Sequence, residues 1–573
     1  MKRRAFLRGP LAAAAIVLAG AAHAGAAARS EVEVVQESGV SAEVASPFDN
    51  SPPTGTLPVW VTIRNASGAA RTWNFSVESG ASYGNGGRHA VTETLRVDDG
   101  QTVRLPVLIP LDPSPTGNTY RDLHFRIEGY GTVDRQYPLP EAMNQTKGNS
   151  TPSIGMGEDL ATPIWASLGK WYADKGSDLI GSPVDPELLG SDWRALAGFD
   201  VLWLSDATFN RLDAARRTAV RDWVSHGGLL CLCAQSADPA LRSALGLGAE
   251  GDAADVCLGA VRLLPWDGKP LPVELVADEA NQPRTTRADP AAATAADWTL
   301  TKDVGTIPVN AVFLIGFIVV FAVLVGPVNL FVFARPAQRH RLFWTTPLLS
   351  VAASLLLMSF ILLKDGFGGS GQRALLCLLL PDQKKTVVLQ EQVTRTGVVL
   401  SHGFDVAEDL LLAPIQIVEG PQRSYEQTGR RFTGDWFASR SVQAQRLEAV
   451  VPGRAEITLA NADAARGGAP PVLASSVPVT LRTVRYTDPT GGLWTGEGLK
   501  TGERITLHTG GYTGPEAFSP GGGAGLDAEV LRLLQRRGGF VAVADDGPFL
   551  ETLTAIRWTA QRAVFAGPVT GAR

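Results

Sequence analysis

Cysteine is scarce in this chain, with four among 573 residues. They stand at 231, 233, 257 and 377, too few and too irregular for a disulfide framework. Cys231 and Cys233 lie two apart in an apolar run that reads as a strand, so they share a face and do not bond to each other. A bridge from either to Cys257 stays open, beside the plainer reading of small buried apolar residues. Histidine is almost as thin, at 23, 89, 124, 226, 340, 402 and 508, and neither a His/Cys metal-ligand cluster nor a Ser-His-Asp spacing is present. A basic excess is missing too. The net charge of −5 excludes the clustered Lys and Arg of a nucleic-acid surface. No cofactor motif is found: Asp365-Gly366-Phe367-Gly368-Gly369-Ser370-Gly371 is Gly-rich, but it lacks the Lys-Ser/Thr end of a phosphate loop and reads as a juxtamembrane linker.

The absence with the largest consequence is of charge. Ala311 to Phe333 and Phe343 to Leu363, 23 and 21 residues, contain no Asp, Glu, Lys or Arg. About 20 apolar residues cross ~30 Å of hydrocarbon as a helix, so these runs predict a transmembrane hairpin in a lipid bilayer. Without charged residues the spans offer neither an ion relay nor a pore lining, which argues against a transporter. Arg335, Arg339 and Arg341 lie in the connection, whereas Lys302-Asp303 and Lys364-Asp365 cancel outside it. The positive-inside rule therefore puts the loop in the cytoplasm and the rest on the other side. In the first span, Pro327 predicts a kink, Gly326 lets another helix approach, and Asn329 places an amide where partners are few. With Thr345, Thr346 and Pro347 opening the second span, this is either a docking surface for another membrane protein or the place where the two helices pack on each other.

The remaining chain divides by composition. Residues 1–24 have the basic start, short apolar stretch and Ala22-His23-Ala24 end of a signal peptide, and Arg3-Arg4-Ala5-Phe6-Leu7-Arg8 also resembles the twin-arginine export consensus. An uncleaved anchor would leave the downstream orientation unchanged. Residues 31–140 hold short alternating runs separated by turn residues, which predicts an immunoglobulin-like β-sandwich with Trp60, Trp73 and Phe75 in its core. A polar linker follows at Asn144 to Thr151. Residues 150–265 read as a βαβ unit: the run Phe199 to Ser205, a helix from the Asp213 cap to Ser225 with a stripe of Ala215, Ala219, Val220, Trp223 and Val224, then Gly228 to Cys233. Residues 266–308 lead to the spans at 309–334 and 343–363, joined by the 335–342 loop. Residues 364–573 read as an exported β-rich region, with a helix from Asp527 to Arg537 and Phe540 to Val543 as a final strand. Trp436 and Trp494 are read as packing anchors there, with a carbohydrate platform as the alternative.

The block Gly198-Phe199-Asp200-Val201-Leu202-Trp203-Leu204-Ser205-Asp206, with Leu212-Asp213 and Trp223-Val224-Ser225-His226-Gly227-Gly228-Leu229-Leu230, resembles the flavodoxin-like domain of the class I glutamine amidotransferase-like superfamily. With the hairpin and its Val325-Gly326-Pro327-Val328-Asn329, the whole chain resembles uncharacterised envelope membrane proteins of bacteria that carry a degenerate form of that domain. The resemblance implies a bacterial cytoplasmic membrane protein with large exported regions, and a nucleophilic Cys near Cys233 in active members. Here Leu232 and Ala234-Gln235-Ser236 replace the small residues and Gly of the strained turn, and no histidine lies between Cys233 and the first span. His226 precedes the strand, at a helix end whose carbonyls it can satisfy. The expected role is therefore a non-catalytic scaffold, regulator or binding module with an envelope protein partner; the alternative is a Cys233-dependent amidase or hydrolase. Asp206, at the carboxyl end of a strand, is either a ligand contact or a loop-capping carboxylate.

Overall fold

The computed structural model describes residues 28–35, 39–48, 52, 55–81, 87–111, 121–139, 151–177, 179–235, 239–245, 247, 252–281, 298–304, 311–333, 336–415, 423–509, 515–519, 521 and 524–571. The signal peptide predicted over residues 1–24 and nearly all of the 144–151 linker lie outside them. The fold is mixed α/β and rich in sheet, with two long apolar helices.

Alternation at a period of two builds the N-terminal part. Strands Ala28–Val35, Val40–Ser46, Gly55–Arg64 and Thr102–Leu111 form one antiparallel sheet. Arg88–Val97, Arg71–Ala81, Arg121–Gly129 and Gly131–Leu139 form part of another. Leu57, Val59 and Val61 of the first share a core with Trp73, Phe75 and Val77 of the second. Trp60 is buried as well, and its indole donates to the Leu188 carbonyl at 2.8 Å. The second sheet does not end with its own segment. Ser424–Thr428, from beyond the apolar helices, pairs in parallel with Arg88–Val97, and Arg431–Gly434 and Phe404–Asp405 extend it. Tyr425 of the incoming strand stacks on buried His89 at 4.8 Å.

Next comes a sheet whose parallel strands run in the spatial order Ile180–Val184, Ser153–Gly157, Val201–Ser205, Leu229–Ala234 and Gly259–Pro265, with Ala253–Val256 antiparallel at the edge. Asp213 caps the Ala214–Ser225 helix by accepting the Arg216 N–H at 2.8 Å. The helix buries Ala219, Val220, Trp223 and Val224, whereas Ala215, expected in the stripe, faces solvent. A Cβ on Gly228 would sit 2.3 Å from the Trp223 ring, so only glycine lets the chain turn tightly from helix to strand. All four cysteines are free. The bridge to Cys257 is absent because Cys231 and Cys233 belong to one core while Cys257 packs against another, in the C-terminal region.

The first apolar helix is α-helical over Ala311–Val323 and π-helical over Leu324–Phe333; the second runs Leu342–Asp365. Both are long and apolar enough to cross a membrane, and their large side chains point outward, Val312 and Phe343 being 82% and 87% exposed. The linker expected after the second helix is instead a three-residue junction. Gly366, Phe367 and Gly368 lead straight into strand Gly369–Leu380. That strand pairs with Lys385–Thr396 on one side and Ile556–Thr570 on the other. Gly539–Ala544, read from sequence as the final strand, is therefore followed by a longer one that it flanks. Arg557, Gln561 and Arg562 break the apolar alternation of Ile556–Thr570; in the fold, the Gln561 amide oxygen accepts from Arg373 at 3.1 and 3.2 Å. The helix before it runs Ala524–Leu534, about a turn earlier than read.

The regions on either side of the hairpin are joined by more than the shared sheet. Lys385 Nζ reaches both Asp222 oxygens at 2.7 Å, Arg194 donates to the Leu410 carbonyl at 3.1 Å, and Arg536 donates to the Cys257 carbonyl at 3.3 Å. Burial raises the pKa of Asp222 and outweighs the opposing pull of Lys385.

Candidate functional site

The carboxyl edge of the parallel sheet gathers polar groups from two strand ends. Ser205 ends its strand and caps the helix Asp206–Arg211, its hydroxyl accepting the Thr208 N–H at 3.0 Å. The same hydroxyl donates to Asp159, just after the neighbouring strand Ser153–Gly157, and the Thr208 hydroxyl donates to the same carboxylate oxygen at 3.2 Å. Asp159 thus ties together the two strands at which the strand order reverses direction, where open parallel sheets present a crevice. Sequence reasoning missed Asp159, because its partners lie 46 and 49 residues away; an acidic pair directly after a strand was the one available signal. Asp206 is half-buried in the first turn of that helix, and its Oδ1 accepts the N–H of the next residue, Ala207, at 2.7 Å.

Cys233 is fully buried within its strand, in register with Ser205 and Leu264. Burial, followed by the Asp159 and Asp206 carboxylates, pushes its thiol up to about 12. The thiolate, the reactive form, is therefore disfavoured at neutral pH. Two imidazoles are held elsewhere: His226 stacks on Trp193 at 3.8 Å with Nδ1 2.8 Å from the Asp222 carbonyl, and His402 reaches the Phe437 carbonyl at 3.0 Å; His508 lies on a main-chain bridge with Thr495. Among the described residues no group of three or more His, Cys, Asp and Glu is placed to hold a metal ion. Iodoacetamide at pH 8 should therefore leave Cys233 unmodified in the folded full-length protein and label it after denaturation. Rapid labelling of the native protein, read by peptide mass spectrometry, would contradict this geometry.

Trp436 is 1% exposed, wedged against Tyr425, Phe432 and His89, and Trp494 is half-buried with its indole donating to Asp488 at 2.9 Å. Trp436 is a packing anchor and presents no platform face.

In the hairpin, Asn329 is fully buried and its amide donates to the Thr346 hydroxyl of the second helix at 2.9 Å. Among the described residues nothing donates to its Oδ1. Asn329 therefore serves the packing of the two helices on each other. Gly326 and Pro327 point away, and a Cβ on Gly326 would meet nothing within 4 Å. The π-helical turns begin three residues before Pro327, whose ring clashes with the carbonyl four residues back and whose missing N–H breaks the ladder. A hydrogen bond between membrane helices averages about 0.6 kcal/mol, with a maximum of about 1.7. Asn329→Leu should accordingly leave the hairpin folded, with a loss in that range in detergent unfolding, and Thr346→Val should add little further once Asn329 is gone.

No protein-family model matches the chain, and no curated protein does. Among solved structures it is similar to a cycloisomaltooligosaccharide glucanotransferase of Paenibacillus sp. complexed with cycloisomaltoheptaose, at 11% identity over 33% of this chain and 27% of that one, TM-score 0.17. A β-glucuronidase of glycoside hydrolase family 2 matches at 12% identity over 35% and 18%, TM-score 0.16. A Bacteroides uniformis β-glucuronidase matches at 11% over 35% and 24%, TM-score 0.15. The chain thus covers about a quarter or less of these enzymes' length, and similarity of this order transfers no activity.

Proposed function

We propose that the protein is a non-catalytic component of the bacterial envelope, anchored in the cytoplasmic membrane by its helical hairpin. Its large exported body acts as a scaffold or binding module for an envelope protein partner. The observation that carries this reading is the pairing of Ser424–Thr428 with Arg88–Val97. Strands from before and after the hairpin share one sheet, so both regions belong on the same side of the bilayer, and an even number of crossings follows. The three loop arginines favour the extracytoplasmic side for that body.

The order of the parallel strands, counted along the chain, is 2-1-3-4-5, which supports a flavodoxin-like domain of the amidotransferase-like kind. A deeply buried Cys233 with a raised pKa argues against the amidase alternative. Cysteine substitutions in the full chain test the topology. Ala70→Cys and Glu497→Cys should react with a membrane-impermeant maleimide in spheroplasts, and Arg339→Cys only after permeabilisation. Opposite behaviour of the first two would refute the single exported body. For the role, Cys233→Ala at the native locus should rescue a deletion strain; failure at normal abundance would favour the amidase.

A further inference from the structure

Where the second apolar helix ends, the structure forms a cleft of about 460 Å³ lined by arginine from three directions. Strand Gly369–Leu380 begins there, and Ser370 stands in register with Arg395 on one neighbouring strand and with Arg557 on the other. Residues in register on adjacent strands share a face, so Arg395, Ser370 and Arg557 form one cross-strand row, the two arginine backbones about 10 Å apart. Arg440 joins from a turn, its N–H donating to the Gly397 carbonyl at 2.8 Å while its φ of +57° lies in the left-handed region that side chains rarely adopt. Among the described residues no carboxylate forms an ion pair with Arg395 or Arg557. Like charges gathered on one sheet face repel, and an anion placed between them would reverse the sign of that interaction.

The position of the cleft says which anion. Its first lining residue, Phe367, comes two residues after the end of the helix at Asp365. At under 3.6 Å per residue, the cleft lies within the headgroup layer if the helix spans the bilayer. Phe367 is 64% exposed and Leu400, two residues beyond the Val398 that bridges to Phe367, is 82% exposed. Apolar side chains displayed beside arginines at a helix exit suit an interface with acyl chains below and phosphates above.

We propose that this cleft binds the phosphate of an anionic phospholipid headgroup, with the Arg395 and Arg557 guanidinium groups on either side of the Ser370 hydroxyl and Arg440 closing the site. The assignment rests on the membrane reading of the hairpin. The test uses purified full-length protein in nanodiscs of phosphatidylcholine with or without phosphatidylglycerol, read by native mass spectrometry and thermal melting.

Wild-type protein should retain phosphatidylglycerol selectively and melt higher in its presence. R395Q/R557Q should bind it about 30-fold more weakly, at roughly fivefold per arginine near an anionic surface. Should that variant fold poorly, R557Q alone, at an exposed position, should lose about fivefold. Unchanged binding by a variant that melts like wild type in phosphatidylcholine overturns the site. Equal stabilisation by the same concentration of inorganic phosphate overturns the lipid assignment and makes the source free phosphate. Protein that enters nanodiscs but does not discriminate between the lipids refutes this inference alone, whereas protein that stays soluble without detergent and does not enter them refutes the membrane reading.

Discussion

Arg446→Met should destabilise the C-terminal sheet by about 3–5 kcal/mol, the usual cost of removing one partner from a buried charge network. Arg446 is 8% exposed on strand Val442–Pro452. Its Nε lies 2.7 Å from Glu448 and its Nη1 3.7 Å from Glu391, both themselves buried. Glu529, on the helix above, has its pKa raised by burial, with Arg532 and Arg446 pulling the other way. Without Arg446 these carboxylates keep the cost of burial and lose their shared cation. The sign of the pH dependence follows. A carboxyl whose folded pKa lies above its unfolded value favours the fold at low pH and penalises it as pH rises through the folded pKa. The variant should therefore be weakest at pH 8 and recover part of its loss near pH 5, as followed by denaturant unfolding in detergent. A loss independent of pH would mean that methionine disrupts packing and that the charges are incidental.

Gly368→Ala should be the next most damaging single change, at about 2–5 kcal/mol. Its φ is +75° and an added Cβ would lie 2.2 Å from the Ala555 carbonyl oxygen, a backbone atom with no room to retreat. The left-handed conformation costs a side chain about 1–2 kcal/mol, and forcing an extra carbon into packed structure costs about 1–3 more. Gly366 supplies the control. Nothing lies within 4 Å of its added carbon, but its φ of +72° and ψ of 178° fall in a region that essentially only glycine adopts, so Gly366→Ala should cost about 1–3 kcal/mol from backbone strain alone. Melting of the two variants side by side separates conformation from contact. A Gly368→Ala loss no larger than about 1–2 kcal/mol would show that the Ala555 approach adds nothing to the backbone strain.

How far the sequence could be read depended on whether a signal was local. Two long uncharged runs, the Asp213 cap and the apolar run ending at Ser205 are local, and each corresponds to an element in the fold. The joining of Ser424–Thr428 to Arg88–Val97 is not, since Ser-Tyr-Glu-Gln-Thr is short, polar and more than 300 residues from its partner. Strand Ile556–Thr570 escaped for a related reason: its polar Gln561 is satisfied by Arg373 across the sheet, a partner that only the assembled sheet supplies. At the carboxyl edge of the parallel sheet, Asp206 was legible from its place after a strand, but Asp159 required knowing which two strands become neighbours. The arginine row was hidden in the same way, because Arg395 and Arg557 are brought together by Ser370, which lies between them in space and before both in the chain.

The junction Gly366-Phe367-Gly368 also sets an altitude. The helix that ends at Asp365 has 24 residues, about 36 Å at 1.5 Å each, and the strand that starts at Gly369 runs through the middle of its sheet. If that helix spans a bilayer as proposed, the three-residue connection leaves the sheet-bearing body little freedom to drift from the lipid or to swivel over it. Its surfaces would then be held at set heights above the lipid, as marks on a post driven into the ground. A soluble partner would have to approach at the right level, while one standing in the same membrane would arrive there already.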